Sequence, residues 1–329
     1  MNPILPDPAA IALAAKLLQQ GRLVAFPTET VYGLGADASN PEAVQRIFTA
    51  KGRPADHPLI VHIPTIDSLY DWAAQVPESA LQLARQFWPG PLAMILPKKP
   101  HVSEWVTGGQ ATVGLRMPNH PVALQLLTAF GGGVAAPSAN RFCKISPTLA
   151  AHVQTELGDA VDLILDGGAC QVGVESTIID LSGAQPVLLR PGHISRAALA
   201  AALNTEVLLS PAADANSVRA PGMMAVHYAP TTAAILCPSA QLTALVQQLN
   251  NAGKTVGLLA LTPPASHLGL SHSRYLSTNA DAYAHALYAS LRELDNLQLD
   301  TIVIEQPPQT EQWRAVNDRL GKAASLYRG

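Results

Sequence analysis

The chain has 329 residues, with Lys+Arg 21 against Asp+Glu 24 and a formal net charge of −3. Charged residues make up 14 % of the sequence, where about 25 % is typical, and hydrophobic residues make up 48 %, which excludes a disordered or collagen-like chain. Three widely spaced cysteines exclude a disulfide framework and a CxxC metal site, and the negative net charge argues against a nonspecific nucleic-acid coat.

The first part of the chain, over residues 1–204, predicts a mixed sheet of many strands with scattered helices, an α/β fold of α+β character. Buried strands are predicted at 23–26, 59–63, 92–96, 112–117, 134–136, 161–165, 176–181 and 187–189. Capping residues and apolar periodicity predict helices over 8–21, 41–52, 78–88, 121–130 and 195–203. Ser146-Pro147 is predicted to cap a further helix.

Residues 205–230 lose this periodicity and have the Ala, Pro, Asn, Ser and Gly composition of a linker. A regular pattern returns over 231–329, with strands predicted at 233–237, 255–261 and 301–305 and helices at 239–251, 280–294 and 312–325. Strands that alternate with helices predict a second, smaller domain with a Rossmann-like parallel sheet.

Several common chemistries have no signal in this sequence. There is no P-loop, Gly33-Leu34-Gly35 lacks the third glycine of a dinucleotide fingerprint, and neither GxSxG nor HExxH occurs. The ten histidines are not paired at metal-ligand spacing. No apolar run is long enough to span a bilayer and no signal peptide is visible at the start, so we expect a cytoplasmic protein without a membrane partner.

Polar clusters follow the predicted strands, where α/β folds place their ligands. They supply cations at Lys51, Arg116 and Arg190, several hydroxyl groups, and a predicted helix start at Ser146. This set suits an anionic ligand such as a nucleotide together with a carboxylate. Each member also has an ordinary structural interpretation: Lys51 can stabilise a helix C-terminus, Ser146 can be only an N-cap, and His62 can be a core histidine.

Taken in order, the motifs of the chain closely resemble those of the threonylcarbamoyl-AMP synthases. The motifs are PTETVYGLG (27–35), KGRP (51–54), HPLIVHI (57–63), WPGPL (88–92), VGLRMP (113–118), APSAN (136–140), SPT (146–148), GVESTIID (173–180), LLRPG (188–192) and PGMMAVHYAP (221–230). The resemblance covers nearly the whole chain and is to the two-domain long form of the family, which implies a YrdC-like twisted sheet around a concave cavity, a linker that closes as a lid, and a C-terminal α/β domain.

The resemblance implies a nucleotidyltransferase for tRNA modification. Such an enzyme converts L-threonine, bicarbonate or CO2 and ATP, with Mg²⁺, into threonylcarbamoyl-AMP and pyrophosphate. The product serves threonylcarbamoyladenosine formation beside the anticodon, so the implied downstream partner is the tRNA threonylcarbamoyl transferase machinery, with weak RNA binding as a further expectation. The reaction needs no protein nucleophile, which agrees with the missing triads.

The resemblance also implies roles for individual residues. Threonine is expected to be held by Thr30, His62, Arg116, Ala136 and Ser176. The nucleotide is expected to be held by Lys51, Arg53, His57, Thr112, Ser138, Asn140, Ser146, Arg190 and Tyr228. Lys51 and Arg53 are the expected catalytic residues, and no protein ligand to a metal is expected.

The sequence shows three departures from the family pattern: His57 stands where Asn is common, Cys143 where Gly is usual, and Met224-Ala225 where a basic residue is common. Two alternatives remain at this stage. One is an RNA-binding accessory protein without ATP turnover, recognised by a salt-sensitive RNA affinity. The other is a carbamoyltransferase of the hydrogenase-maturation type, whose cysteine-rich zinc motifs are missing from these residues.

Overall fold

The computed structural model describes residues 2–210, 218–224, 226–261, 270 and 272–327. The chain divides into two units. The N-terminal unit comprises Met1–Phe142, Pro147–Gln171 and Glu175–Met223. The C-terminal unit comprises Cys143–Ser146, Val172–Val174 and Met224–Gly329. No helix in the described ranges is long and apolar enough to cross a membrane.

The N-terminal unit contains eight α-helices and ten strands in its described residues. The helices are α1 (Pro8–Gln19), α2 (Pro41–Lys51), α3 (Leu69–Trp72), α4 (Glu78–Phe87), α5 (Glu104–Thr107), α6 (Pro121–Phe130), α7 (Ala150–Leu157) and α8 (Arg196–Leu203). The strands are β1 (Val24–Phe26), β2 (Gly33–Asp37), β3 (Ile60–His62), β4 (Leu92–Pro97), β5 (Thr112–Arg116), β6 (Val134–Ala135), β7 (Leu163–Ile164), β8 (Thr177–Asp180), β9 (Val187–Arg190) and β10 (Leu208–Leu209).

These ten strands form one mixed sheet in the order β10-β9-β8-β4-β5-β3-β6-β2-β1-β7. Strands β3 and β5 are parallel neighbours, whereas β4 runs antiparallel to β5 and β6 runs antiparallel to β3. The mixed sheet predicted for this part of the chain is confirmed. Strand β2 was not predicted, because its sequence GLGAD has neither the alternation nor the β-branched residues of a strand.

The helix predicted to start at Ser146-Pro147 is wrong. Helix α7 begins at Ala150, with Leu149 in the N-cap position and no side-chain cap. The carbonyl oxygen of Pro147 accepts a hydrogen bond from the Tyr32 amide at 2.9 Å, and that of Thr148 accepts one from the Cys170 amide at 3.0 Å. These main-chain bonds hold the residues after Ser146 outside a helix, so the first helical turn starts four residues later.

The two faces of the N-terminal sheet carry different residues, since successive side chains of a strand point to opposite sides. Val61, Met94 and Leu115 belong to the large core cluster on one face. Ile60 and Ile95 belong to a small cluster on the other face, with Ala93, Ile178 and Ala220. Alternation then places His62 on the face of Ile60, and Arg116 on the face opposite Leu115. Both polar side chains therefore share the less crowded face.

The C-terminal unit has the parallel α/β architecture predicted for it. Its strands are β11 (Ala233–Cys237), β12 (Val256–Ala260), β13 (His272–Tyr275), β14 (Thr301–Glu305) and β15 (Ser325–Leu326), in the order β13-β12-β14-β11-β15. Every pairing between these strands is parallel. The helices are α9 (Leu242–Asn251), α10 (Ala280–Asp295) and α11 (Arg314–Ala323). Strands β13 and β15 were not predicted, because the first is polar and the second has only two residues.

Candidate active site

A buried arginine and a buried glutamate form the centre of the candidate site. Strand β5 ends at Arg116 and its parallel neighbour β3 ends at His62, and these two residues lie opposite each other in the register. The Arg116 Nη2 atom lies 2.7 Å from Glu29 Oε2 and donates to Thr30 Oγ1 at 3.0 Å. Glu29 and Thr30 come from the loop between β1 and β2. The side chains of this group are buried, so the charges interact in a low dielectric.

The His62 imidazole beside this pair is fully buried and packs edge-on against Phe26, with 6.2 Å between ring centroids. Burial lowers the pKa of His62 to about 3, and the Arg116 guanidinium acts in the same direction. The imidazole is therefore neutral at pH 7. A neutral ring offers one donor and one acceptor and adds no charge to the site.

The turn Gly90-Pro91 connects Arg116 with the start of β8. Arg116 Nε donates to the Gly90 carbonyl oxygen at 3.4 Å, and the Thr177 amide donates to the Pro91 carbonyl oxygen at 2.9 Å. Ser176 directly precedes Thr177 in the chain. The motif WPGPL therefore links two strands whose ends carry predicted site residues.

Arg190 at the end of β9 fixes Ser176. Its Nε atom donates to the Ser176 carbonyl oxygen at 3.0 Å and its Nη2 atom to Ser176 Oγ at 3.1 Å. Its Nη1 atom donates to the carbonyl oxygen of Pro221 at 3.1 Å. The structure thus joins Arg190, expected at the nucleotide, to Ser176, expected at threonine.

Lys51, the last residue of α2, holds the loop after β6. Its Nζ atom donates to the carbonyl oxygens of Ser138 and Asn140, both at 2.5 Å. The carbonyl oxygen of Lys51 also accepts a hydrogen bond from the Phe142 amide at 2.8 Å. Gly52, in the left-handed conformation, ends the helix directly after Lys51.

Arg53 and His57 both lie close to the ring of Phe142. The Arg53 guanidinium carbon is 5.9 Å from the centre of the Phe142 ring, and the His57 ring centroid is 5.3 Å from it. Arg53 also donates to the Pro58 carbonyl oxygen at 3.0 Å. Partial burial lowers the pKa of His57, and the positive charge of Arg53 lowers it further. At neutral pH His57 therefore acts as a neutral polar ring.

Ala136 and Thr112 lie at separate points of the sheet. The Ala136 amide donates to the Ile60 carbonyl oxygen at 3.0 Å, which places it directly after β6 and beside β3. Thr112 begins β5 and Arg116 ends it, so the two share a face and are about 13 Å apart along the strand. That spacing suits the two ends of an extended ligand.

Ser146 and Tyr228, also expected at the nucleotide, belong to the C-terminal unit. Cys143, on the same segment as Ser146, has a backbone φ of 63°, the left-handed conformation that favours glycine. That conformation explains why glycine suits this position. Met224 lies within the described ranges, whereas Ala225, the second residue of this departure, lies outside them.

Burial distinguishes the lysine and arginine side chains of the candidate site from most others in the described ranges. Within the described ranges, the lysine and arginine side chains that are buried are Lys51, Arg53, Arg116, Arg190 and Arg319. Burying a cation is costly unless partners compensate for it, so these positions are unusual in a folded chain. Four of the five were predicted as site residues. Neither Arg319 nor Glu29 was predicted as a site residue. For Glu29 the sequence offers a usable signal, because this carboxylate lies in the short loop after a buried strand.

The described residues of this site offer few side-chain ligands for a divalent metal ion. Among the described residues no group of three or more His, Cys, Asp or Glu side chains could hold a metal ion. The Glu29 carboxylate is paired with Arg116. This donor set fits Mg²⁺ that arrives on nucleotide phosphates, since that ion keeps most of its waters and uses phosphate oxygens as ligands.

Comparison with known protein families gives two matches that together cover most of the chain. The family model Sua5_yciO_yrdC, described as telomere recombination, matches residues 16–192. The model Sua5_C, described as threonylcarbamoyl-AMP synthase, C-terminal domain, matches residues 194–325. The division between the two models falls just before α8.

Relatives named threonylcarbamoyl-AMP synthase match over almost the whole length. The protein of Bacillus subtilis is 42 % identical over 95 % of this chain and 92 % of its own length. The protein of Pyrococcus abyssi is 41 % identical over 95 % of this chain and 94 % of its own length. A crystal structure of Pyrococcus abyssi Sua5 complexed with L-threonine matches with a TM-score of 0.90 and 39 % identity, covering 97 % of this chain and 96 % of that one.

Proposed function

The chain belongs to the threonylcarbamoyl-AMP synthase family, and from this membership we propose that it makes threonylcarbamoyl-AMP and pyrophosphate from L-threonine, bicarbonate or CO2, and ATP. A tRNA threonylcarbamoyl transferase machinery would use this product to form threonylcarbamoyladenosine in tRNA. ATP and tRNA are both found in the cytoplasm, where we place the reaction.

The buried Arg116–Glu29 pair carries this proposal. L-threonine is a zwitterion, and the pair offers a cation for its carboxylate and a carboxylate for its ammonium group. Thr30 Oγ1, 3.0 Å from Arg116 Nη2, supplies a hydroxyl partner beside them. Neutral His62, Ser176 and Ala136 complete the set assigned to threonine.

The reaction itself needs positioning and charge neutralisation. The threonine ammonium group first loses a proton to solvent. The neutral amine nitrogen then forms a bond to the carbon of CO2, one C–O π bond opens, and a second proton is released to give the carbamate. A carbamate oxygen then attacks the α-phosphorus of ATP, and the bond to the pyrophosphate oxygen breaks. Negative charge builds up on the phosphoryl oxygens, and Lys51, Arg53 and Arg190 are the buried cations assigned to neutralise it.

Lys51 also holds a loop of the proposed site. Its two hydrogen bonds to the carbonyl oxygens of Ser138 and Asn140 fix the loop assigned to the nucleotide. Mg²⁺ bound to the ATP phosphates would add charge neutralisation at the leaving pyrophosphate. His57 and Thr112 complete the nucleotide set in this unit, and Ala136 offers main-chain contact to the substrates.

Pyrophosphate release from Mg-ATP tests the proposal. We expect release that requires both L-threonine and bicarbonate, with the adenylate trapped and weighed by mass spectrometry. Release without threonine, or none at all, contradicts the proposal. Salt-sensitive RNA binding in the absence of turnover would then favour the RNA-binding alternative.

Two alanine variants test the residue assignments. Arg116→Ala should weaken L-threonine binding about 100-fold or more, because the carboxylate loses its charged partner. Lys51→Ala should mainly lower turnover with ATP. Arg85→Ala and Lys16→Ala remove exposed cations from α4 and α1 and serve as controls that keep activity. Unchanged threonine affinity in Arg116→Ala contradicts the first assignment, and unchanged turnover in Lys51→Ala contradicts the second.

A further inference from the structure

Two arginines of the C-terminal unit contact segments that carry residues assigned to the nucleotide. We propose that Arg292 and Arg319 are positioning residues for the adenylation step, which hold the segments Cys143–Ser146 and Val226–Ala229 and thereby orient Ser146 and Tyr228. The inference rests on the proposed function, because Ser146 and Tyr228 are assigned to ATP there. It gives the C-terminal unit a role in catalysis through the chain segments that it binds.

The segment Cys143–Ser146 belongs to the C-terminal unit although it interrupts the N-terminal one. Lys144 pairs with Ala229 as an isolated parallel bridge, and the Ala229 amide donates to the Cys143 carbonyl oxygen at 2.9 Å. Lys144 Nζ donates to Thr231 Oγ1 at 3.1 Å. The two segments are therefore joined by one isolated bridge and by these hydrogen bonds.

Arg292 fastens this pair to α10. Its Nη2 atom donates a hydrogen bond to the carbonyl oxygen of Ile145, the residue directly before Ser146. Arg292 and Ile145 are 147 positions apart in the chain, so the bond exists only in the folded protein. A carbonyl oxygen held by a charged donor fixes the orientation of the peptide that leads into Ser146.

A second loop lies against the same helix. A Cβ atom on Gly173 would be 2.5 Å from the Ala284 carbonyl oxygen and 2.5 Å from His285 Cα, so only glycine allows this approach. Gly173 also has a φ of 81°, in the region that favours glycine. The motif GVEST thus starts on the surface of α10 before it continues to Ser176.

Tyr228 is enclosed by residues of α10 and α11. Its ring stacks on Tyr288 with 6.0 Å between centroids, and the Arg319 guanidinium carbon lies 5.1 Å from its centre. The His227 amide donates to the Lys322 carbonyl oxygen at 3.1 Å. Tyr228 has a φ of 62°, which a bulky residue adopts only when its surroundings hold it there.

Arg319 is suited to hold Tyr228. Its side chain has no exposed surface, and its Nη1 atom lies 2.6 Å from Asp318 Oδ2. Lys322 Nζ lies 2.6 Å from the other oxygen of the same carboxylate. Asp318 thus compensates the charge of Arg319, whose flat guanidinium faces the tyrosine ring, and a cation over a desolvated aromatic face is favourable.

The test uses the full-length chain with Arg292→Met and Arg319→Met, which keep the apolar stem and remove the guanidinium. We expect each variant to raise the KM for ATP about tenfold while the KM for L-threonine stays within about twofold, because threonine is assigned to residues of the N-terminal unit. Arg292→Lys, which keeps a charged donor, should recover most of the loss. Arg274→Met is the matched control, since Arg274 lies in the same unit and is paired with Glu293 at 2.6 Å.

Hydrogen exchange at residues 143–146 and 226–229 provides a readout that does not depend on the reaction. We expect the Ala229 amide to exchange faster in Arg292→Met than in the wild-type protein and in Arg274→Met. Unchanged exchange, or an equal loss for both substrates that follows thermal stability, overturns the inference. A third outcome separates the two proposals. If the Ala229 amide exchanges faster in Arg292→Met but the wild-type protein releases no pyrophosphate, the proposed function is overturned and the holding role of Arg292 stays in place.

Discussion

Glu29 and Arg116 depend on each other at the scale of single residues. Their side chains are 3 % and 5 % exposed, and their charged atoms are 2.7 Å apart. A buried pair adds little net stability, but removal of one partner leaves an uncompensated charge. The pair therefore keeps two opposite charges buried at the place where a zwitterion is proposed to bind.

Glu29→Gln should lower the free energy of unfolding by about 3 kcal/mol, because Arg116 loses its buried counter-charge. Urea denaturation measures this change. Glu78→Gln is the matched control, since Glu78 lies 2.8 Å from Arg85 with both side chains more than half exposed. The control should lose less than about 1 kcal/mol. Equal losses in the two variants would contradict the structural role of the Glu29–Arg116 pair.

His62 makes the stability of the protein depend on pH. Its pKa is about 3 in the folded state, below the ordinary value of 6.5, because the ring is buried beside Arg116. Below pH 6.5 the unfolded chain binds a proton that the folded one does not, so stability falls as the pH falls toward 3. Between pH 7 and pH 5 this residue should cost about 2 kcal/mol.

His62→Asn should remove this part of the pH dependence. Free energies of unfolding in urea at pH 7 and pH 5 measure it, with wild type and variant compared at both values. The pKa values of His57 and His120 are also lowered and contribute in the same direction, and both residues remain in the variant. An identical loss for the two proteins would mean that His62 titrates normally in the folded state.

Strand β6 shows what decides the sheet at the scale of elements. It has two residues, between β2 and β3, and precedes the loop with Ser138 and Asn140. Gly133 leads into it, where a Cβ atom would lie 2.3 Å from Trp72 Cζ2 and 2.6 Å from Val61 Cγ1. The glycine lets Trp72 of α3 pack under the start of the strand.

Gly133→Ala should lower the free energy of unfolding by about 1–3 kcal/mol, because the added methyl group overpacks this contact. Thermal or urea denaturation provides the measurement. Gly183→Ala is a suitable control, since a Cβ at Gly183 would meet nothing within 4 Å and its φ is not in the left-handed region. If both variants unfold alike, the space at Gly133 is not what requires glycine.

In the whole molecule charged residues are few, and several of the lysine and arginine side chains are buried. The chain is only 14 % charged, yet four buried cations belong to the proposed site and the fifth, Arg319, encloses Tyr228. The C-terminal unit has no such collection of buried cations among its described residues. Its proposed contribution is to hold chain segments, whereas the N-terminal unit supplies the charges.

Elements whose signals are local could be predicted from the order of the residues alone. Asn40 and Gly52 mark the two ends of α2 as an N-cap and a left-handed C-cap, and the alternating pattern after residue 231 determines a parallel α/β unit. The candidate cations could also be found, since Arg116 and Arg190 end apolar strands and Lys51 ends a capped helix, in a chain of low charge. These features depend on neighbours within a few positions.

The partners of these residues, in contrast, depend on long-range packing in the folded chain. Lys51 and Ser138 are 87 positions apart, and Arg116 and Thr30 are 86 positions apart. The helix start predicted at Ser146 was wrong because distant amides take the carbonyl oxygens after it, and the contact of Arg319 with Tyr228 has no local signal. Partners of this kind are chosen by the way in which distant segments pack, and a pattern of neighbouring residues does not contain that information.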